Sequence, residues 1–311
     1  MNMARALTSK LRSPFLTIRT IRNWYDILLL YMGVKKVVDF KLRSTPFVLS
    51  RITREQIALP FYFSKVLAQG KLYLKGSNIM LRFRDLTFLL HDPKIDIPCI
   101  YATFVEEEYN KFSFKDKVVL DIGAYIGDTS LFFAAKGARK VIAYEPNPEV
   151  FKVLVKNVEI NKMREKILPI NLAVGKDGHV DFFISSYAPG STLFKERFVL
   201  RTQHGKSRAL EQFCLKQVRV RSVSIATILN EIGPVDILKM DCEGCEFIIL
   251  EDIVNRRLES NILEGIIFEA HMFDESSTMK RVVDLLKSIG FKKVFARKVS
   301  DITSFIWGMR S

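Results

Sequence analysis

The chain has 311 residues, 48% of them hydrophobic, with a formal net charge of +14, which suits an ordinary globular protein with a sizeable core. The positive balance favours an anionic partner, whether nucleic acid, a phosphate-bearing substrate or a membrane surface, but it does not specify a fold. Four cysteines (Cys99, Cys214, Cys242, Cys245) are too few and too unevenly spaced for the framework of a small secreted domain. No stretch reaches the ~20 apolar residues of a membrane span, and the start of the chain lacks the apolar run and cleavage site of a signal peptide. A cytoplasmic protein in a reducing compartment is the expectation.

Residues 1–44 carry nine Lys or Arg against Asp26 and Asp39, and within them "RNWYDILLLYMG" forms a short apolar helix candidate ending at Gly33. Its plain destiny is packing on the main domain. A basic amphipathic start with Trp24 and Tyr25 also suits peripheral contact with an anionic membrane. Residues 71–90 read as two strands around the turn "KGSN", followed by a linker to about residue 115. Residues 1–100 are therefore expected to be a basic helical and β-hairpin extension, and residues 101–311 the main domain.

From residue 118 the pattern alternates: "VVLD" and a helix ending near Gly137, then "VIAY" and "NPEVFKVLVKNVEINK". In the second helix Asn147 is a natural N-cap, Pro148 suits the first turn, and Phe151, Leu154, Val155 and Val158 form an apolar face. "ILPINLAV", then "VDILKM" with its helix, and "GIIFEA" with the helix of Met279, Val282, Val283 and Leu286 continue the series. "FKKVFA" and "TSFIWGM" close it as an antiparallel pair at a sheet edge. Such alternation predicts a mostly parallel sheet covered on both faces.

In a sheet of that kind, ligands bind at the carboxyl ends of the strands where the strand order switches. "VVLDIGAYIGDTSLFF" places Asp121 at a strand end, Gly123, Ala124, Tyr125 and Gly127 in the turn, and a helix start at Asp128 or Thr129. Glycines let the backbone approach a ligand closely. Glu145, at the end of the next strand, can accept both hydroxyls of a ribose. G-x-G-x-x-G is not met, so a pyrophosphate lacks a cradle, and Asp121 suits an ammonium group instead. A nucleoside joined to an amino acid is S-adenosylmethionine.

"LDIGAYIGDTS", "AYEPNPEVF", "NLAVGKDG", "ILKMDCEGCE" and "IIFEAH" occur in that order, and over roughly residues 100–300 the chain resembles the class I S-adenosylmethionine-dependent methyltransferases, specifically the FkbM family. Lys239, Asp241, Glu243, Gly244 and Glu246 match the family's fourth-strand pattern K-x-D-x-E-G-x-E. Tyr125 departs from it, since the family often carries Asn there. The resemblance implies a Rossmann-like seven-stranded methyltransferase sheet in the order 3-2-1-4-5-7-6 behind the N-terminal α/β extension. It also implies S-adenosylmethionine contacts from Asp121, Gly123, Ala124, Tyr125, Gly127, Glu145, Asn147 and Asp241.

Within that resemblance Cys242 and Cys245 occupy positions that are usually small and apolar, and they read as packing residues. Nothing is spaced to complete a zinc site with them. Methyl transfer to a hydroxyl needs alignment and removal of a proton, for which Asp241, Glu243, Glu269 and His271 are the catalytic candidates. For Glu243, Glu246 and Glu269 an ion-paired role that fixes the loop competes, as a structural role does for His271; a divalent cation is the less favoured use of the carboxylates, and no metal is assigned. "PGSTLF" matches a Ser-rich stretch that lies near the active site in similar proteins. Residues 195–221 hold eight Lys or Arg against Glu196 and Glu211, either to receive an anionic acceptor or as a solvated face; sparse aromatics there disfavour RNA. The favoured activity is O-methylation of a glycan or other small molecule. Alternatives are an RNA methyltransferase, because "EPNP" and its helix resemble tRNA guanine-N1 enzymes, or a noncatalytic anion- or membrane-binding protein on the same scaffold.

Overall fold

The computed structural model describes residues 14–185, 191–193, 214–272, 277–300 and 303–310. The chain divides into two compact units, Met1–Glu108 and Tyr109–Ser311.

In the first unit, helices α1 (Pro14–Thr20) and α2 (Trp24–Tyr31) precede an antiparallel pair, β1 (Val37–Lys41) and β2 (Val48–Thr53). Helix α3 (Leu59–Leu67) follows, and its Phe63 packs edge-to-face on Phe40 of β1 with ring centroids 5.1 Å apart. Strands β3 (Gly70–Lys75), β4 (Asn78–Phe83) and β5 (Leu86–Leu89) form an antiparallel meander where the residue pattern suggests only two strands. The second turn escapes notice because Arg84, at φ +50, does the work usually given to Gly or Asn. Residues 93–105, read as linker, are helix α4 (Pro93–Ile100) running into a π-helical turn at Tyr101–Val105. The missed signal is Asp92, whose side chain accepts from Lys94 N ahead of a first-turn proline.

The second unit is built on seven strands: β6 (Val118–Ile122), β7 (Lys140–Tyr144), β8 (Ile167–Ile170), β12 (Val235–Met240), β13 (Ile262–His271), β14 (Lys293–Lys298) and β15 (Thr303–Met309). Their spatial order is β14-β15-β13-β12-β6-β7-β8. Numbered along the chain within this sheet, and read from β8, it is 3-2-1-4-5-7-6. Strands β6, β7, β8, β12 and β13 pair in parallel, and β15 runs antiparallel between β13 and β14. The order reverses between β6 and β12, which opens a crevice beyond their carboxyl ends.

Helices α5 (Asp128–Ala135), α6 (Pro148–Ile160), α7 (Ile225–Ile232), α8 (Glu246–Asn255) and α9 (Met279–Ser288) alternate with the strands. Central strand β12 reads as a nearly continuous apolar run because both of its faces are covered: Val235, Ile237, Leu238 and Met240 are fully buried. The buried face of α6 is Val150, Leu154, Asn157 and Val158, shifted from the predicted one. Asn157 turns inward because its amide donates to Ile126 O at 2.9 Å, holding the turn after β6 in place. A smaller sheet, β10 (Gly178–Ser185), β11 (Cys214–Val223) and β9 (Ala173–Val174), stands beside the main one. Among the described residues, no helix is long and apolar enough to cross a membrane.

Candidate active site

The turn after β6 takes positive φ at alternate residues: Gly123 (+76), Tyr125 (+49) and Gly127 (+86). At Gly123 only glycine fits, since a Cβ would stand 1.9 Å from Asp241 O on the neighbouring strand end. The amides of Gly123 and Ala124 both donate to Tyr144 O, at 2.9 and 3.0 Å. This fastens the turn to the end of β7, where Glu145 begins the next loop.

Glu145 is buried, and each of its oxygens takes one main-chain amide: Tyr125 N at 2.9 Å and Asn147 N at 2.8 Å. Burial raises its pKa to about 7 against the pull of those two N–H groups. Lone pairs remain on both oxygens for hydroxyl donors. Asn147, the N-cap of α6 as expected, accepts from Glu149 N through its own side chain.

Beneath the turn, Asp121 has no exposed surface. Its Oδ1 lies 3.0 Å from Lys239 Nζ, and its Oδ2 accepts from the hydroxyls of Thr129 (2.7 Å) and Ser130 (2.6 Å). Lys239 Nζ also donates to Gly123 O at 2.8 Å and lies 5.6 Å from the Tyr109 ring centroid. Burial works to lower the Lys239 pKa, but Asp121 and Asp241 outweigh it, so the ammonium stays charged.

The fourth strand ends in the tight loop Asp241-Cys242-Glu243-Gly244-Cys245. Cys242 and Cys245 are joined by a disulfide with their Cα atoms 5.5 Å apart, so the reading of the two as separate packing residues is corrected. The Cα separation is within the range a disulfide spans, and the two enclosed residues, Glu243 and Gly244, both adopt positive φ, +59 and +118. Glu246, at the start of α8 and fully buried, accepts from Cys242 N (3.1 Å) and Gly244 N (3.0 Å).

His271 closes the network from the end of β13. Its Nδ1 faces Glu246 Oε1 at 3.1 Å and its Nε2 faces Glu243 Oε2 at 2.9 Å, with Glu269 Oε2 3.7 Å away. Burial depresses its pKa, but the two glutamates more than offset this, and the imidazole titrates well above its usual value. A carboxylate facing each nitrogen favours the charged ring, and in that form neither nitrogen has a lone pair to take a proton. Glu243 and Glu246 thus act on His271 before they act on any ligand.

The remaining two candidates behave differently. Asp241, half-buried, has its pKa raised to about 6, by burial first and by Glu243, against Lys239. Glu269 is raised to about 8 by burial and by the charge of Asp241. Asp241, Glu269 and His271 offer atoms within 4.8 Å of one another. For these to hold a cation His271 would first have to surrender a proton and a carboxylate.

Asp241, Gly123, Tyr125, Glu145, Cys242 and Ser191 line one cleft that is open to solvent. The donor set fits a nucleoside carrying positive charge: a ribose-directed carboxylate at one end, acid at the other, and a turn that side chains would obstruct. Two residues lay outside the candidate set. Tyr109 carries its hydroxyl 3.5 Å from Asp241 Oδ2, and nothing in its sequence neighbourhood marks it. Thr192 donates to Glu243 O at 2.6 Å, which puts this residue of "PGSTLF" against the motif; of that stretch only 191–193 are among the described residues. Of the basic strip, Lys216, Arg219 and Arg221 stand exposed on β11, and residues 195–213 lie outside the described residues.

Residues 121–293, just over half of the chain, match the family described as Methyltransferase FkbM domain. Methyltransferase sdnD of Sordaria araneosa is 25% identical over 195 residues, which cover 56% of this chain and 73% of that protein. The tRNA(Phe) (4-demethylwyosine(37)-C(7)) aminocarboxypropyltransferase of Pyrococcus horikoshii is 42% identical over 57 residues, 18% of this chain. The match covers 20% of that relative, so the chain spans about a fifth of its length. Among solved structures, M. jannaschii TYW2 in complex with AdoMet aligns with 76% of this chain and 87% of its own at 15% identity and a TM-score of 0.39.

Two outcomes are expected from the network. His271→Ala strands two buried carboxylates and should cost about 3 kcal/mol, or roughly 6–12 °C in melting temperature. Because the folded pKa of His271 is raised, this contribution is complete below the ordinary histidine value and fades only as the pH rises through the folded one; equal melting of parent and variant at neutral pH would show the ring to be uncharged. Peptide mapping after alkylation in denaturant without reductant should leave Cys242 and Cys245 unmodified, with both labelled once a dithiol is added; labelling of either beforehand would exclude the bond.

Proposed function

The chain belongs to the FkbM methyltransferase family and uses S-adenosylmethionine, and from that premise we propose that it methylates a hydroxyl oxygen of a glycan or other small-molecule acceptor, with the Asp241 carboxylate taking the proton. The observation that carries this reading is the position of Asp241. It lines the cleft together with Gly123 and Glu145, and its carboxyl sits beside that of Glu269 at the ends of adjacent strands.

When bound, S-adenosylmethionine supplies a methyl group on a positively charged sulfur that departs as a neutral thioether. Glu145 accepts the ribose hydroxyls, with Tyr125 N and Asn147 N fixing its carboxylate. Gly123, Ala124 and Gly127 allow the backbone to lie against the cofactor, and Asp121 keeps Lys239 and the helix start in register beneath it. An ionised Asp241 favours the positive sulfur and draws the proton from the acceptor oxygen as it attacks. With its pKa near 6 it is mostly ionised at neutral pH, whereas Glu269, near 8, is mostly protonated and able to donate to the acceptor. Glu243 and His271 serve the reaction by holding this pair in a fixed field.

Calorimetric titration with S-adenosylmethionine tests the donor half. Glu145→Ala should weaken binding roughly a hundredfold, the loss of hydrogen bonds to a charged acceptor. Since binding uses the ionised form, parental affinity should fall as the pH drops below about 7, by at most tenfold per unit, and Glu145→Ala should lack that slope. Unchanged affinity in the variant would remove Glu145 from the ribose site.

For the acceptor half, S-adenosylhomocysteine release would be followed across a panel of hydroxylated glycans, small-molecule alcohols and tRNA. Asp241→Asn should lower kcat at least a hundredfold on the active acceptor and abolish the rise in kcat/KM expected as the pH climbs through about 6. Turnover on tRNA alone would overturn the hydroxyl-acceptor reading, and a fully active variant would discard Asp241 as the base.

A further inference from the structure

Helix α2 is apolar nearly all the way round, yet it is not enclosed. Ile27 and Leu30 are buried, while Trp24, Tyr25, Leu28, Tyr31 and the capping residue Met32 are exposed. At about 100° per residue these five side chains fall within an arc of roughly 120°, one continuous face of the helix. Tyr25 is 54% exposed and Met32 56%, and Val34, just beyond the helix, is 69% exposed. Isolated apolar side chains on a surface need no explanation, but a contiguous patch does. Of the fourteen large hydrophobics exposed among the described residues, nine lie between Ile18 and Val48, so the exposure is concentrated in one region.

The charge around this face has one sign. Between residues 14 and 54 the chain has eight Lys or Arg, every one of them exposed, and only Asp26 and Asp39 against them. Both acids are engaged locally: Asp26 pairs with Lys35 and accepts from Asn23, and Asp39 accepts from Arg51 N. A second copy of the chain meeting this face about a two-fold axis would bring like charges together. An anionic lipid surface meets both requirements, taking the apolar stripe below the headgroups and the cations at their level. Trp24, Tyr25 and Tyr31 are the side chains favoured at that depth, with an apolar ring and a polar tip.

We propose that the exposed face of α2, with the cations around it, docks this protein on the surface of an anionic lipid bilayer, with the helix lying in the plane of the interface. The contact is peripheral, and it is independent of the methyl-transfer reading.

The test is co-sedimentation of the full chain with vesicles of phosphatidylcholine alone and of phosphatidylcholine with phosphatidylserine at about 7:3. Binding is expected to the mixed vesicles and to weaken as salt is raised. Leu28→Ser combined with Tyr31→Ser should lower the partition coefficient at least tenfold, and Lys36→Gln about fivefold. In a Trp307→Phe background, Trp24 emission should move to the blue on vesicle addition. These exposed substitutions should leave the melting temperature and S-adenosylmethionine binding at parental values, which separates lost docking from lost folding. Absence of binding, equal binding to both vesicle types, or unchanged binding by the double variant would overturn the proposal. So would a parental dimer in light scattering that the double variant converts to monomer, because the face would then be covered by a second copy.

Discussion

A single buried ion pair underlies the donor site. Lys239 and Asp121 stand on neighbouring strands β12 and β6, flanking the point where the strand order reverses, and neither side chain keeps more than a trace of exposure. Removing water from two charges is costly, and the cost is offset only when every remaining donor and acceptor is used. Here the Thr129 and Ser130 hydroxyls on Asp121 and the Gly123 carbonyl on Lys239 supply such partners. The pair therefore brings the start of α5, the glycine turn and the centre of the sheet to one point. Asp241 and Glu145 take their places around a turn that cannot shift while the pair is intact.

Above this pair the carboxylates divide into two kinds. Glu243 and Glu246 are committed to an imidazolium and to main-chain amides, and their work is to hold the loop. Asp241 is instead pushed upward in pKa by burial and by Glu243, and Glu269 by burial and by Asp241, which brings their titration into the range where protons are exchanged at neutral pH. Four acids within a few ångströms of one another thus provide both a rigid frame and a movable proton. The disulfide tightens the frame, since its ring encloses Glu243.

Much of this was legible in the residues. The strand and helix alternation and the turn glycines announced themselves because a parallel sheet buries both faces of its strands and because a Cβ at 123 has nowhere to go. Glu145 and Asn147 were identifiable for the same reason, as local consequences of a strand end and a helix cap. What the sequence withheld was non-local. Asn157 turns inward to serve a carbonyl in another loop, Tyr109 reaches Asp241 from far along the chain, and Arg84 makes a turn without the usual residue. The protonation of His271 could not be read at all, because it depends on which carboxylates the fold sets against each ring nitrogen. The two cysteines looked like packing residues because they occupy positions that are usually small and apolar in similar proteins and nothing is spaced to complete a zinc site with them.

The hydrogen bond from Thr192 to Glu243 ends on a main-chain carbonyl and ignores the glutamate side chain. Scaffold and charge are consequently separable at residue 243. Any residue content with a left-handed backbone, such as Gly, Asn or Asp, would still tether the segment around Thr192 while altering the acid that faces His271. Position 243 thus carries two duties on different atoms, a carbonyl that tethers Thr192 and a carboxylate that faces His271.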